Sequence, residues 1–221
     1  MVTLPVVIAL IGAYLIGSIP SAVWIGKFFY GVDVREHGSG NAGATNTFRV
    51  LGKRAGIPVL LIDIFKGWAA VMVGAALVTE STPKEQVVEI QMVMGISALF
   101  GHIFPILAHF RGGKGIATLV GITFALHPPA TLVAIGVFLA AFLITHYISL
   151  GSILGALSFP FSILFLFPPS FPSFHVFGLF IAILVLFTHQ KNIERLLRNE
   201  ESKMWIKGKK NPKTTPREAT E

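Results

Sequence analysis

The sequence contains no cysteine and few charged residues. Without cysteine, neither disulfides nor thiolate metal sites can form. Charged residues make up 13% of the chain, whereas soluble globular proteins contain about 25%. Apolar residues make up 53%, and the mean hydropathy is +0.71. A soluble core could not bury so many apolar side chains in a chain of 221 residues, so we expect most of them to face lipid.

Catalytic and metal-binding patterns known from soluble enzymes are also missing. None of the seven histidines belongs to a His-Glu-x-x-His pair, so no metal site is predicted. No Gly-x-Ser-x-Gly nucleophile elbow is present. These absences exclude the common zinc hydrolases and serine hydrolases.

Six apolar segments have about the length of a membrane-spanning helix, roughly 17–25 residues. They lie near residues 3–26, 56–79, 90–110, 129–146, 152–168 and 174–190. A shorter apolar segment, Gly115 to His127, ends at two prolines that favour a turn. The sequence therefore predicts an all-α fold, a polytopic membrane helix bundle with seven transmembrane helices.

The positions of the basic residues predict the orientation of the bundle. If the N-terminus lies outside, nearly all lysines and arginines lie at cytoplasmic span ends or in the C-terminal segment, as the positive-inside rule requires. Fusing residues 115–146 into one helix would export the basic C-terminal segment. We therefore expect the C-terminus inside and no nucleic-acid partner for the net charge of +7. Residues 1–198 are predicted to form the membrane domain, and 199–221 a basic, disordered cytoplasmic tail.

The longest connection between spans, about residues 30–55, contains a cluster of small polar residues. Its sequence is Ser39-Gly40-Asn41-Ala42-Gly43-Ala44-Thr45-Asn46, followed by Arg49. Glycines let the backbone approach a ligand closely, and free N–H groups can then donate to it. A flexible linker has a similar composition, but the apolar flanks and Arg49 favour a binding loop.

A second cluster, Arg111-Gly112-Gly113-Lys114-Gly115, directly precedes a predicted helix. Helix N-termini offer unpaired N–H donors and a positive dipole end, which favours phosphate or carboxylate binding. The segment is not a Walker loop, because Gly115 follows Lys114 and the upstream glycine spacing differs. A tight turn with cationic membrane anchors is the alternative.

Further polar residues lie at or near the same inner face. His189 and Asn192 are three residues apart and share one helix face, where they could bind a polar ligand or anchor the helix end. Ser149 and Ser152 are weaker signals, because serines often cap helices or pack between them.

Asp63 and Lys66 are charged residues within the second span. Their spacing of three allows an ion pair on one helix face. Intramembrane charges are functional candidates by default, but a structural ion pair that supports the loop above is an equally good interpretation.

The clusters together predict a cytoplasmic site for a phosphorylated, water-soluble substrate. No carboxylate base lies within the glycine-rich clusters, which favours catalysis by positioning and electrostatic stabilisation. A transporter of anions or phosphate esters is one rival, but the outer loops supply no matching cations. A membrane phosphatase or another transferase acting on a lipid phosphate is a second rival.

At these residues the sequence closely resembles the acyl-phosphate-dependent glycerol-3-phosphate acyltransferases of bacteria, over roughly residues 5–200. The resemblance rests on four segments: Ser39 to Asn46 with Arg49, Gly112 to Gly115, His189 with Asn192 and Glu194, and Asp63 with Lys66 and Gly67.

The resemblance implies that an acyl group passes from acyl phosphate to the 1-hydroxyl of glycerol 3-phosphate. The products would be 1-acylglycerol 3-phosphate (lysophosphatidic acid) and phosphate, in the first acylation of phospholipid synthesis. It further implies a multi-pass enzyme of the bacterial inner membrane, with its active site on the cytoplasmic face. Its partners would be the two substrates and membrane lipids, with no metal, no other cofactor and no obligate protein partner.

The resemblance also implies roles for individual residues. The donor phosphate and the charge on the acyl oxygen would be held by Ser39, Gly40, Asn41, Gly43 and Asn46. Glycerol 3-phosphate would be bound by Arg49, Gly112, Gly113, Lys114, Gly115, Ser152, His189 and Asn192. Structural roles are expected for Asp63, Lys66 and Glu194. We expect a substrate phosphate oxygen to take the hydroxyl proton, with His189 as the alternative base.

Overall fold

The computed structural model describes residues 4–169 and 171–204, and these residues form ten α-helices and no β-strand. The helices are α1 (Leu4–Gly17), α2 (Ser21–Tyr30), α3 (Ala44–Leu51), α4 (Lys53–Ala76), α5 (Lys84–Ile103), α6 (Ile116–Leu126), α7 (Pro128–Thr145), α8 (Ile148–Phe165), α9 (Ser173–Thr188) and α10 (Gln190–Leu197). The prediction of an all-α fold is confirmed.

The segment predicted as the first span consists of two helices, because the chain breaks between them. α1 ends at Gly17 and α2 begins at Ser21, with a bend of 42°. Pro20 lacks an N–H group and disfavours helical geometry at Ile19, so the helix cannot continue through this point. α9 and α10 are separated by a sharper bend of 62°.

Helix length and composition account for four to six membrane spans in the described part of the chain. α4, α5 with the turn that follows it, α7 and α8 are each long and apolar enough, and each of the two bent pairs adds one span if it is counted as a unit. α6 has 11 residues, about 16 Å at 1.5 Å per residue, which is well short of a hydrocarbon core of about 30 Å. The seventh span and the orientation of the termini stay predictions.

Close approach of helix backbones positions the bundle around α4 and α6. A Cβ atom on Gly67 of α4 would overlap the carbonyl oxygen of Thr118, and one on Gly121 of α6 would overlap that of Ile64. Small residues at helix crossings are the usual means by which membrane helices pack. The short helix α6 is thereby fixed against the longer α4.

Large apolar side chains cover the outside of the bundle. Exposed examples on the outer helices are Phe65, Leu139, Ile144, Val176, Leu179 and Phe187. Such a surface would be an aggregation hazard in water but is the surface that a lipid environment requires. The low charge content of the sequence is thus explained by side chains that face lipid.

Candidate active site

A cavity of about 350 Å³ opens among α3, α4, α6, α7 and α8 and the C-terminal segment that follows α10. One part of its lining is polar: Ser39, Asn41, Thr45, Asn46, Arg49, Lys114, Ser149, Ser152, His189, Asn192 and Glu201. Another part is apolar: Leu60, Ile64, Leu119, Val120, Ala134, Ile135, Phe138, Leu139, Phe159 and Ile181. The cavity can therefore hold a molecule with a charged group and an apolar chain.

The first turns of three helices, α3, α6 and α8, line the cavity. They contribute Ala44 and Thr45, Ile116 and Ala117, and Ile148 and Ser149. The first N–H groups of a helix have no partner within the helix, and the dipole is positive at that end. Three such ends facing one cavity provide many donors for anionic oxygens.

The loop that contains Ser39 is held in shape by the side chain of Asn46. The Asn46 carboxamide donates to the carbonyl oxygens of Val34 and His37, at 2.6 and 3.0 Å, and its oxygen accepts from the Ser39 N–H at 2.8 Å. Asn46 is only 1% exposed. All its hydrogen bonds among the described residues serve the loop, so it presents Ser39 and its neighbours to the cavity.

Two cations lie at the polar part of the cavity. Burial lowers the pKa of Arg49, and it also lowers the pKa of Lys114, to about 8, with Arg195 and Arg49 adding to the shift and Glu201 opposing it. The Lys114 ammonium donates to the Asn192 side-chain oxygen. Partly buried cations attract an incoming anion, because part of their hydration has already been lost.

Glu201 completes the polar part of the cavity from the C-terminal segment. Its Oε1 accepts from Ser149 at 2.8 Å and from Asn192 at 2.7 Å, and its Oε2 accepts from Arg195 at 2.8 Å. Burial by itself raises the pKa of Glu201, but these three donors outweigh it, and the pKa is lowered. Glu201 thus stays ionised and fixes Asn192, which in turn contacts Lys114.

His189 has a defined tautomer. Its Nδ1 lies 2.9 Å from the carbonyl oxygen of Val185, which can only accept, so Nδ1 carries a proton. In the neutral ring Nε2 is then left as an acceptor. His189 is 2% exposed and lines the cavity with Ser152 and Asn192.

The glycines of the Gly112–Gly115 loop allow it to pack tightly on the end of α5. A Cβ on Gly112 would overlap the carbonyl oxygen of His102, and one on Gly113 would overlap the His102 ring. Gly115 has a φ of +82° and lines the cavity directly before α6. Residues larger than glycine at positions 112 and 113 would clash with His102. The glycines therefore allow the loop to place Lys114 in the cavity.

The structure brings most of the sequence-predicted residues together, but five lie outside the main cavity lining. Gly40, Gly112 and Gly113 belong to the adjoining loops, and Lys66 lies behind them. Glu194 points away on α10, where it forms an exposed ion pair with Arg198 at 2.8 Å. Asp63 lines the cavity and pairs with Lys66 at 2.9 Å.

Sequence reasoning missed Glu201 and left residues 199–221 as a tail without a role. In the described part of that tail, Met204 N–H donates to the His146 carbonyl, and the Lys203 ammonium lies 5.3 Å from the Tyr147 ring centre. Residues 205–221 lie outside the described residues. The one available signal was the acidic pair Glu200-Glu201 within an otherwise basic segment that continues into Met204-Trp205-Ile206.

Proteins similar in sequence are named glycerol-3-phosphate acyltransferases. A protein of Chlorobium phaeobacteroides (strain BS1) named glycerol-3-phosphate acyltransferase is 38% identical over 236 residues, covering 94% of this chain and 99% of its own. One of the same name from Chlorobaculum parvum is 40% identical over 216 residues, covering 87% and 93%.

A solved structure has the same fold. The crystal structure of PlsY (YgiH), an integral membrane glycerol 3-phosphate acyltransferase in its glycerol 3-phosphate form, superposes with a TM-score of 0.80 at 33% identity. The match covers 90% of this chain and 96% of that one. Residues 7–199 match the family described as glycerol-3-phosphate acyltransferase. The chain is therefore a member of the glycerol-3-phosphate acyltransferase family.

Proposed function

We propose that this protein transfers an acyl group from acyl phosphate to the 1-hydroxyl of glycerol 3-phosphate at the cytoplasmic face of a bacterial inner membrane. The hydroxyl oxygen bonds to the acyl carbon, and the bond from that carbon to the phosphate oxygen breaks. The phosphate leaves with the electron pair, and one of its oxygens takes the hydroxyl proton. The products are 1-acylglycerol 3-phosphate and inorganic phosphate.

The single observation that carries this proposal is the amphipathic cavity. Its polar part offers helix N-termini, Arg49 and Lys114, whereas its apolar part runs along α4, α6, α7 and α8. On α8 the lining extends from Ile148 to Phe159, about 16 Å at 1.5 Å per residue. A substrate with a phosphate head and a long apolar chain matches both parts, whereas a small soluble anion would use only the first.

The polar part has room for the chemistry of two phosphate groups. The first turn of α3, with Ser39, Asn41 and Gly43, is suited to the donor phosphate and the charge that develops on the acyl oxygen. Arg49 near the end of α3, and Lys114, Ser152, His189 and Asn192 from other elements, are suited to glycerol 3-phosphate. The comparison structure in its lysophosphatidic acid form has a TM-score of 0.76, which supports a product of the same class here.

Because the mixed anhydride is already activated and phosphate is a good leaving group that can itself accept the hydroxyl proton, the proposed reaction does not need a dedicated protein base. The described residues provide no group of three or more His, Cys, Asp or Glu side chains that could hold a metal ion. We assign to the site the binding, orientation and charge stabilisation of the two substrates.

The reaction is tested by offering alternative donors to the purified protein. Radiolabelled glycerol 3-phosphate is incubated with the protein in detergent and with palmitoyl phosphate or palmitoyl-CoA, in the presence of a chelator. We expect labelled lysophosphatidate only with palmitoyl phosphate. Product from palmitoyl-CoA alone, or a need for added metal, would overturn the proposed donor and mechanism.

The lowered pKa of Lys114, to about 8, predicts an alkaline limit for glycerol 3-phosphate use. Above this pKa the ammonium loses its charge, while the substrate phosphate, whose second pKa is about 6, stays a dianion. We expect kcat/KM for glycerol 3-phosphate to decline above pH 8, approaching about tenfold per pH unit. Lys114→Arg should remove this decline, since arginine stays charged; an unchanged profile would exclude Lys114 as its cause.

The apolar part of the cavity is tested by filling it. Ala134 of α7 lines the cavity, whereas Ala140 of the same helix is exposed and outside the lining. We expect Ala134→Phe to raise the KM for palmitoyl phosphate about tenfold or more and to leave the KM for glycerol 3-phosphate within about twofold. Ala140→Phe should change neither, and equal effects of the two variants would contradict an acyl-chain site here.

The proposed topology has seven spans, with the N-terminus outside and the C-terminus in the cytoplasm. The broken pair α1–α2, the helices α4 to α8 and α9 would supply these spans, with α6 as the short one. Because the chain has no cysteine, single cysteines can report on sidedness. We expect a membrane-impermeant maleimide to label Ser81→Cys in intact cells, and Ser202→Cys only after permeabilisation; the reverse pattern would overturn the orientation.

A further inference from the structure

A buried polar cluster lies behind the two glycine-containing loops. Asp63, Lys66 and His102 are 1%, 3% and 6% exposed. Lys66 pairs with Asp63 at 2.9 Å and donates to the Ile19 carbonyl at 3.1 Å, and the Ser21 hydroxyl donates to Asp63 at 2.7 Å. The cluster thus ties α4 to the break between α1 and α2, where Pro20 leaves the backbone without its helical partners.

His102 connects this cluster to the loop that carries Lys114. Its Nδ1 lies 3.7 Å from Asp63 Oδ1, and its carbonyl oxygen accepts from the Gly113 N–H at 3.2 Å. The Cα of Gly113 packs so tightly on the ring that a Cβ there would overlap Nε2, and the three atoms nearest to that Cβ all belong to the ring. Lys114 is the next residue, and it enters the cavity.

A loop of glycines is conformationally free, and a lysine side chain adds further freedom. Binding a phosphate through Lys114 therefore costs less entropy if the loop already lies in place. The His102 ring packs against Gly113, and the His102 carbonyl accepts a hydrogen bond from the Gly113 N–H. These two contacts hold the loop in place. The Asp63–Lys66 ion pair lies beside His102. Its two charges are paired at a depth where unpaired charges would be costly.

We propose that His102, packed beside Asp63, is a positioning residue that fixes the Gly112–Gly115 loop and so places the Lys114 ammonium for the phosphate of glycerol 3-phosphate. This rests on the proposed function, because it requires Lys114 to bind that phosphate. His102 also lines the cavity, but in this proposal it acts through the loop and forms no bond to the reacting atoms.

The contact is tested by a double-mutant cycle. We expect Gly113→Ala and His102→Ala each to raise the KM for glycerol 3-phosphate about tenfold, and the KM for palmitoyl phosphate less than about threefold. His102→Ala removes the ring that the methyl group of Gly113→Ala would overlap. We therefore expect the double variant to raise the KM for glycerol 3-phosphate only about 10- to 20-fold. A rise in this KM of about 100-fold, the product of two independent tenfold effects, would overturn the proposal.

Gly112→Ala is the matched control. The added Cβ there meets backbone oxygens of His102 and Ile103, which His102→Ala leaves in place. We expect the rise in KM for glycerol 3-phosphate from Gly112→Ala to multiply with the rise from His102→Ala in the double variant. Equal non-additivity in both cycles would mean that the loop only collapses, and would overturn a specific contact between Gly113 and the ring.

A merely structural role is distinguished by two further readouts. If His102 only stabilised the fold, its removal would lower the thermal midpoint and the active fraction, and hence kcat. It would not raise the KM for one substrate selectively. His109 is exposed and has a φ of +55° in the turn before the Gly112–Gly115 loop. We expect His109→Asn to have the thermal midpoint and the KM for glycerol 3-phosphate of the wild type. A His102→Ala variant with lowered kcat and unchanged KM for glycerol 3-phosphate would overturn the proposal.

Equilibrium binding of radiolabelled glycerol 3-phosphate is measured alongside turnover. If the wild type binds this ligand without acylating it, the proposed reaction fails while the cycle is still decided from Kd values. If the wild type does not bind it, both proposals are overturned.

Discussion

Lys114→Met is expected to lower kcat/KM for glycerol 3-phosphate by about 10²-fold or more. Lys114 is partly buried in the loop directly before α6 and contacts Asn192. Removing one charge from a desolvated ion pair costs about 2–5 kcal/mol, because the partner loses its counter-charge where water cannot replace it. The loss is measured from initial rates with saturating palmitoyl phosphate and varied glycerol 3-phosphate.

Lys191→Met provides the matched control. Lys191 is exposed on α10, directly beside Asn192, and is absent from the cavity lining. We expect its kcat/KM to stay within about twofold of the wild type, since exposed charges contribute little. If both variants lose activity alike, the effect comes from the overall positive potential, and Lys114 has no specific role.

Glu201→Ala is expected to lower the free energy of unfolding by about 3–5 kcal/mol and to abolish activity. The carboxylate accepts hydrogen bonds from Ser149, Asn192 and Arg195. Its removal leaves these donors, together with the nearby cations Arg49 and Lys114, without their shared anion. Breaking a buried charge cluster by removing one member typically has a cost of this size. Thermal unfolding in detergent and the acylation assay measure the two effects.

Two neighbouring glutamates serve as controls for this prediction. Glu200 is exposed, and Glu194 forms only an exposed ion pair with Arg198. Such pairs contribute about 0–1 kcal/mol, so Glu200→Ala and Glu194→Ala should unfold within a few degrees of the wild type. A larger loss from Glu194→Ala than from Glu201→Ala would contradict this prediction and support the structural role that the resemblance implies for Glu194.

The membrane-embedded helical architecture could be predicted from the sequence because its cause is local. Apolar segment length, proline position and charge placement each act within a few residues, and these features predicted the helical regions. The break at Ser18 to Pro20 was missed because the apolar pattern continues across it, although Pro20 already disfavours a continuous helix.

The site was predictable where glycines, cations and amides cluster in sequence. Ser39, Arg49, Lys114 and Asn192 do line one cavity. Glu201 was not found, because its role depends on a chain segment that returns to α8 and α10 after the last helix. Nor was His102, whose ring contacts a glycine eleven residues later in the sequence. Such contacts depend on tertiary packing, which leaves no periodic pattern in one sequence.

The apolar half of the cavity was also invisible at the level of the sequence. Its residues, such as Leu60, Val120 and Phe138, have the same composition as lipid-facing positions on the same helices. The space that they line lies among α4, α6, α7 and α8, which are far apart in the sequence. In the proposed reaction, this space would hold the acyl chain of the donor.

The central claim is tested most directly by the stoichiometry of the reaction. Purified protein is given palmitoyl phosphate and glycerol 3-phosphate, and lysophosphatidate and inorganic phosphate are quantified in the same sample over time. Acyl transfer predicts equal amounts of both products, and no phosphate release above the uncatalysed rate when glycerol 3-phosphate is left out. Phosphate released without lysophosphatidate would identify a phosphatase and contradict the account, and the absence of both products from folded protein would contradict it equally.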